Sequence, residues 1–554
     1  MRGKEKTASF LIIAALFVAA LIGAVFFPND PGYSFPQVPD PIDTPTTDLS
    51  SKRITAGDDF EPAKGTTGST NYKDKEMLVD DSFTTHLPLV VIDTGGKDVP
   101  RSVKWDSKKR RFVPTGVEPY VSGSISVIDS DDGLNTPLLE PETQSECKLK
   151  VRGNTSSGYD KRQYLVKMLN DKGELASQDV LDMGAGREWV LNVSFADKSL
   201  LRNYLAYSTA GEIMPYTPDA RYCEVLWKDG DTYRYEGVYL IMESVSVGKQ
   251  RVDLPKYSEN SPTTPALLRR DRWSDTKPMI DNYGTREDLT EEFLDIEYPD
   301  ADVLTQKGID NITKQVDRFE TALYSDDWDE FVHYRDYVDM QSFVDYFILN
   351  EYFLNYDAGY HSTYFYMDYS GKLHMGPVWD FDQAMDNVWT TPSKLDTTAF
   401  HSAPWFNRML RDPEFTEALI ERYAELRKSI LSDESIRAYV EQTIDYLGPA
   451  IERDWARWGY YYTNGGYLQP EASGVDRNTK SYREEVEKIL SVLSEHGAWM
   501  DEHLDSLYQF KAMPLDDAKV LDRKELKDYR PALAVVFVVA ILVSVKLVLD
   551  HERE

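Results

Sequence analysis

The 554-residue sequence predicts an α+β fold: a β-rich first half, a mostly helical second half, and an apolar segment at each terminus. Three observations carry this. Short apolar or alternating runs bounded by Gly, Asp and Asn recur between about 85 and 270, which is strand texture. Beyond about 340, longer segments of good helix formers show helical periodicity. Residues 8–27 are 20 positions without a charge, and 531–549 form a second such stretch interrupted only by Lys546.

Taken in order, the first apolar segment at ~1.5 Å per residue crosses a ~30 Å hydrocarbon layer and exceeds the core of a cleaved signal peptide. Residues 1–27 therefore read as a retained membrane anchor. Arg2, Lys4 and Lys6 precede it and no Lys or Arg follows until Lys52, so the positive-inside rule puts the large middle region on the extracytoplasmic side of the cell membrane. Arg523, Lys524, Lys527 and Arg530 before the second span argue for the cytoplasmic side; the first span is taken as decisive. Residues 28–84 begin with repeated Pro among Asp, Thr and Ser, a composition that cannot bury a core, and read as a spacer.

The folded region is expected over 85–510, a juxtamembrane segment over 511–530 and a C-terminal transmembrane helix over 531–549. Strands are predicted at LPLVVIDT (87–94), GSISVIDS (123–130), KLKVRG, QYLVKML, EWVLNV, YCEVLW and GVYLIMESV. SLLRNYLAYSTAGEIM (199–214) reads as an inserted helix with Leu201, Leu205, Ser208 and Ile213 on one face. Helices follow at 343–355, 413–431, 434–447 and 480–508, with β-like pieces at 362–368 and 372–380.

Composition sets limits on function. With 41% hydrophobic residues, 31 Gly, 28 Pro and 2 Cys, the chain is neither collagen-like nor a small disulfide scaffold. A net charge of -32 argues against a nucleic-acid partner that needs a basic face. Cys147 and Cys223 suit a single disulfide or two buried thiols equally, and no Cys/His cluster has zinc spacing.

Two stretches carry chemistry. In NYDAGYHSTYFYMDYSGKLHMGPVWDFDQAMDN (355–387), Asp357 follows an apolar helix, a hairpin turns at Ser370-Gly371, and Asp380-Phe381-Asp382 ends the next strand. Carboxylates at loop ends suit a hard cation such as Mg2+; turn caps and solvated acids are the bland alternative. In VRGNTSSGYDKRQYLVKML (151–169), Gly153 to Gly158 form a loop whose N–H groups can face an anion, and Lys161, Arg162 and Lys167 follow. The spacing is neither that of a Walker A loop nor of the kinase G-x-G-x-x-G, and a hairpin with solvated lysines is the alternative. Together they are the parts of a phosphoryl-transfer cleft.

The order LPLVVIDT, KVRGNTSSGYDKRQYLVKM, SLLRNYLAYSTA, EGVYLIMESV, NYDAGYHSTYFYMDYSGKLHMGPVWDFD and APWFNRMLRDPEF resembles the CotH family, the spore coat protein H type of atypical protein kinases, over roughly 85–505. The resemblance implies a bilobal atypical protein-kinase-like fold with a β-rich N-lobe and a helical C-lobe, in a bacterial spore-coat or cell-envelope setting. It implies ATP with Mg2+ or Mn2+, and transfer of the γ-phosphate to Ser or Thr of a protein substrate.

By position, Asp357 corresponds to the catalytic-loop aspartate and Asp380 to the metal-binding aspartate, with Asp382 a second ligand. Lys167 corresponds to the phosphate-neutralising lysine, Arg152 and the loop through Ser157 to phosphate contacts, and Glu243 to the hinge between lobes. Where the family commonly places Asn after the catalytic aspartate, this chain has His361 and Ser362; the Ser362 hydroxyl is a weak metal ligand and an imidazole a poor one for Mg2+. The second reading is thus a catalytically degenerate envelope module that binds a wall polymer or partner protein through Trp389, Trp405, Trp455, Trp458 and Tyr460 to Tyr462, although core packing is the expectation for most of these aromatics. A glycosidase is a distant third, because nothing fixes two carboxylates at a catalytic separation.

Overall fold

Apolar alternation in the first half builds a nine-stranded sheet from β1 (Ser69–Asn71), β2 (Glu76–Val79), β3 (Leu89–Asp93), β6 (Val121–Ile128), β7 (Thr143–Val151), β8 (Tyr164–Leu169), β9 (Glu188–Asn192), β10 (Ala220–Asp229) and β11 (Thr232–Glu243). Between β3 and β6, β4 (Val103–Asp106) and β5 (Arg111–Pro114) form a separate hairpin. The computed structural model describes residues 69–71 and 76–511, apart from 110, 131–132, 194, 273–276, 390 and 465–476. Both apolar terminal segments, and the spacer as far as residue 68, lie outside the described residues. Among the described residues, no helix is long and apolar enough to cross a membrane.

The strand order is β1-β2-β11-β10-β3-β6-β7-β8-β9, and β9 also pairs with β11. The 12-residue β11 allows this: its first part carries β2 through Tyr233 and Arg234, and Leu240 to Glu243 pair with β9. The sheet therefore curls back on itself, with Cys147, Leu149, Val166, Trp189, Leu191, Cys223 and Ile241 packed inside. Both cysteines are free and buried there; burial pushes the Cys147 thiol up to about 12 and raises Cys223 as well, so neither is a thiolate near neutral pH. The opposite face, with Val190, Tyr222, Leu240 and Met242, joins the core of the second half.

Two boundaries differ from the sequence reading. The sheet begins at Ser69, inside the segment read as spacer, and Met77, Val79 and Phe83 pack with Leu226 and Tyr235. The four apolar-rich residues of β2 sit between charged neighbours and are too short for periodicity to reveal; their pairing with β11 decides their fate. The helix α1 (Arg202–Gly211) is buried along all ten residues rather than on one face, because it lies between the sheet and the second half.

The second half is not purely helical. A five-stranded sheet runs β13-β14-β12-β15-β16, from β12 (Ala266–Asp271), β13 (Met279–Ile280), β14 (Phe293–Tyr298), β15 (Thr363–Met367) and β16 (Leu373–Met375). The helices are α2 (Gln306–Leu323), which packs on β13, α3 (Met340–Tyr352), which packs on β16, α4 (Pro413–Arg427) and α7 (Tyr482–His503) against α3, α5 (Asp433–Leu447) against α7, and α6 (Pro449–Asn464) on β11 of the first sheet. Side-chain oxygens of Thr305, Asp339, Asp412, Ser432 and Ser481 cap α2, α3, α4, α5 and α7. Helix α3, buried on nearly every side, is the central element.

Consecutive charges on α6 fasten it to the first sheet. Arg453 grips Glu224 with Nε to Oε1 at 2.8 Å and Nη2 to Oε2 at 2.5 Å, while Asp454 pairs with Lys161 at 2.5 Å and accepts the Val238 N–H at 2.9 Å. Removing either partner of such a buried pair strands a charge, at a cost of about 3–5 kcal/mol. Lys161 is therefore a structural cation.

Candidate active site

The site forms where two loops return from the core. After α3 the chain turns at Leu354 (φ 54°) and runs through Asp357 into β15; after β16 it passes Trp379 into Asp380-Phe381-Asp382. Buried Arg270 supports the first loop, donating from Nη1 to the Gly359 carbonyl at 3.1 Å and the Pro404 carbonyl at 3.4 Å, with its guanidinium 3.9 Å from the Trp405 ring centre. Thr363 Oγ1 accepts the Gly359 N–H at 2.7 Å.

Helix α1 holds the second loop. Asp380 N–H donates to the Tyr207 hydroxyl at 3.2 Å, Phe381 N–H to Asn203 Oδ1 at 2.7 Å, and Arg202 reaches the carbonyls of Ala384 at 3.0 Å and Met385 at 3.3 Å. Arg202 itself is buried between Asp197 at 2.6 Å and Glu485 of α7 at 2.8 Å. A polar chain continues from Asn203 to Asn192 at 3.1 Å and from Asn192 to Gln163 at 3.4 Å. The acidic turn is thereby linked to β9 and to the start of β8.

At the meeting point, Ser362 Oγ donates to Asp380 Oδ2 at 3.3 Å, and both residues adopt left-handed backbone (φ 49° and 66°). Non-glycine residues in that region cost of order 1–3 kcal/mol each and persist where surrounding contacts impose them. Gln383 Nε2 donates to Asp357 Oδ2 at 3.2 Å. Removal from water and the neighbouring Asp357 charge push the Asp380 carboxyl up to about 6; Ser362 and Arg152 oppose the shift, and Asp271 adds to it. His361 Nδ1 lies 4.0 Å from Asp271 Oδ1, and its basicity is lowered by burial and by Arg272.

A CotH kinase protein family model matches residues 149–500, more than half of the chain. The chain belongs to the CotH family. Among curated proteins, none matches it. The CotH match encloses the Arg152 loop and both acidic loops, and it leaves out β1 to β6.

Within the CotH region, the structure brings Asp357, Asp380, Ser362 and Arg152 together. The Arg152 guanidinium lies 5.2 Å from the Trp379 ring centre, next to Asp380. Burial, helped by the Asp380 and Asp382 charges, keeps the Tyr207 hydroxyl un-ionised, and the Asp382 carbonyl accepts from Asn387 at 2.7 Å. Ser157 is buried and donates to the Asn154 carbonyl at 2.7 Å, shaping the loop after Arg152. Glu243 is buried with its carboxylate committed to Arg251, to the Tyr216 hydroxyl at 3.0 Å and to the Asp219 N–H at 2.9 Å, and so fastens the end of β11.

Lys167 is ion-paired with Glu188 at 2.7 Å and lies 5.2 Å from the Tyr120 ring centre. The register Lys148↔Lys167↔Glu188 puts Lys148 and Lys150 on the same sheet face. Lys150 makes no ion pair among the described residues, and burial together with Arg152, Lys167 and Lys277 lowers its proton affinity. An ammonium among cations with no acid partner is suited to an anionic ligand.

Sequence reasoning missed Lys150, Asp271, Gln383 and the three α1 residues. Asp271 ends LLRRD, an unremarked run until Arg270 pairs with Thr363 across β12 and β15. Conversely, Trp405, Trp458 and Tyr462 are core residues and Trp455 is half-buried, whereas Trp389 is 44% exposed. Core packing, the expectation for most of these aromatics, holds for Trp405, Trp458 and Tyr462, and it removes them from a polymer-binding surface.

Among the described residues, no group of three or more His, Cys, Asp or Glu is placed to hold a metal ion. The oxygens of Asp380, Ser362 and Asp357 are hard donors of the kind Mg2+ and Mn2+ take, together with substrate phosphates. The elevated Asp380 pKa reflects burial first and the neighbouring Asp357 charge second, and a divalent cation would offset both. The residues therefore fit a shared metal–phosphate site rather than an all-protein cage.

Proposed function

We propose that this CotH protein is an atypical protein kinase that transfers the γ-phosphate of ATP to Ser or Thr of a protein substrate, tethered to the cell membrane by its terminal apolar segments with the folded region extracytoplasmic. The observation that carries the reading is the meeting of Asp357 and Asp380, the latter bonded to Ser362, with the cation Arg152, beside which Lys150 lies on the sheet.

In this reading Asp357, oriented by Gln383, accepts the proton of the substrate hydroxyl, the role of the catalytic-loop aspartate in phosphoryl transfer. Asp380 and Ser362, with Asp382 alongside, hold Mg2+ or Mn2+, which when bound neutralises phosphate charge. Arg152 and Lys150 contact the phosphates, with Lys167 and Glu188 as a fixed pair behind them. Because such catalysis is mostly positioning and electrostatics, the α1 contacts that fix the acidic turn belong to the machinery.

The test is transfer of label from γ-labelled ATP by the full-length chain in neutral detergent with Mg2+ or Mn2+. Metal-dependent labelling of protein Ser or Thr that disappears in Asp357→Asn is expected. Absence of both labelling and an ATP- and metal-dependent thermal shift would overturn the proposal.

A further inference from the structure

The hairpin of β4 and β5 stands apart from both larger sheets, its strands pairing, among the described residues, only with each other. Both outward edges thus offer backbone groups to a third strand. Its sequence, RSVKWDSKKRRF (101–112), concentrates Lys and Arg in a chain of net charge -32, with Asp106 the only acid. Lys104, Lys108 and Lys109 make no ion pair among the described residues; the Asp106 carboxylate instead accepts the main-chain N–H groups of Lys108 at 2.9 Å and Lys109 at 3.1 Å, closing the turn. Trp105 is 53% exposed and is held edge-on by its cross-strand neighbour Phe112 at 5.2 Å.

The base of the hairpin is anchored on the loop that follows Arg152. Thr115 N–H donates to the Ser102 carbonyl at 2.8 Å, and Arg162 Nη1 donates to the Val99 carbonyl at 3.2 Å. Arg101 packs so closely on Gly158 that a Cβ there would come within 2.8 Å of its Nη2. That is the far end of the loop that begins at Arg152.

We infer that this hairpin is a docking strand for an extended acidic segment of a partner protein. The segment would add along an open edge, with main-chain hydrogen bonds, carboxylates on Lys104, Lys108 and Lys109, and an apolar side chain on Trp105. The open edges favour a polypeptide over a lipid surface or a nucleic acid, because main-chain donors and acceptors there have a matching partner only in another strand. Electrostatic complementarity with an otherwise acidic body directs such a segment to this hairpin.

The full-length chain in neutral detergent would be titrated with a fluorescent Glu-rich 12-residue peptide, without ATP, so that the result is independent of phosphoryl transfer. Expected are saturable binding at low salt, a loss of about tenfold when ionic strength is raised past the point where the Debye length falls below ~8 Å, and hydrogen-exchange protection confined to 101–115. Lys104→Glu/Lys108→Glu/Lys109→Glu should abolish binding while keeping the wild-type melting temperature, and Trp105→Ala should weaken it without changing the salt dependence. No binding by the wild-type chain, or equal binding by the triple variant, overturns the inference. So does protection of 101–115 by phosphatidylglycerol nanodiscs or by an oligonucleotide but not by the peptide.

Discussion

Asn203 Oδ1 accepts the main-chain N–H of Phe381 at 2.7 Å, across 178 residues of chain. The helix of the first half thus holds the acidic turn of the second, and its neighbours Arg202 and Tyr207 hold the same turn on either side. In Asn203→Leu, the Phe381 N–H is left without this acceptor. The expected outcome is a loss of about 1–3 kcal/mol of stability and a fall in the rate of phosphate transfer larger than any rise in KM for ATP, measured by denaturant unfolding and steady-state kinetics.

Arg202 is the stronger anchor. Arg202→Met removes the guanidinium that balances two buried carboxylates, Asp197 and Glu485, and should cost about 3–5 kcal/mol. Adding Glu485→Gln removes one stranded charge and should recover part of that loss. A double-mutant cycle by urea unfolding measures it, and strict additivity would contradict the coupling drawn here.

The two acidic loops separate by role. Asp357→Asn should reduce transfer by about 10²–10⁴-fold while retaining the metal-dependent thermal shift with ATP. Asp380→Asn should lose both. Calorimetric melting with and without ATP and Mg2+, beside the labelling assay, distinguishes them; a retained shift in Asp380→Asn contradicts the metal role.

Lys150 and Lys167 offer a comparison on one sheet face. Lys167 is already matched by Glu188, whereas Lys150 has no acid partner among the described residues. Lys150→Met is therefore expected to weaken ATP binding more than Lys167→Met does, and to stabilise the ligand-free fold by relieving repulsion from Arg152 and Lys277. Isothermal titration and thermal melting of the two variants give the order.

Acid sensitivity has a local source in His86, which is buried with Nε2 2.7 Å from the Tyr446 carbonyl of α5. Burial lowers its pKa below the ordinary 6.5, and Arg453 adds to this while the Tyr446 carbonyl and Glu224 oppose it. Below pH 6.5 the unfolded chain binds a proton that the folded chain resists, so stability falls as pH drops from about 6.5 toward the depressed folded pKa and levels off below it. His86→Gln should flatten the stability profile below about pH 6.5, as read from urea midpoints at half-unit intervals.

The strands from LPLVVIDT to GVYLIMESV and the helices α3, α4, α5 and α7 were legible because each carries its own periodicity, and the α+β class follows from them. Asp357, Asp380, Ser362 and Arg152 were legible through motif order alone. Cysteine state was open in the sequence and closed by burial: two strands bring both thiols into the sheet interior without joining them.

What the sequence by itself determined, then, is the order of elements, the family and the acids and cations with chemical potential. Tertiary structure decided which of those groups have work left to do. Lys161 and Lys167 belong to one cationic run, but Asp454 and Glu188 claim them, whereas Lys150 keeps an open charge beside Arg152. Asp271 and Asn203 carry no local signal, because their partners lie on elements far away in the chain. Periodicity records which face a residue shows to the core; only strand pairing and helix packing record which charges meet across it.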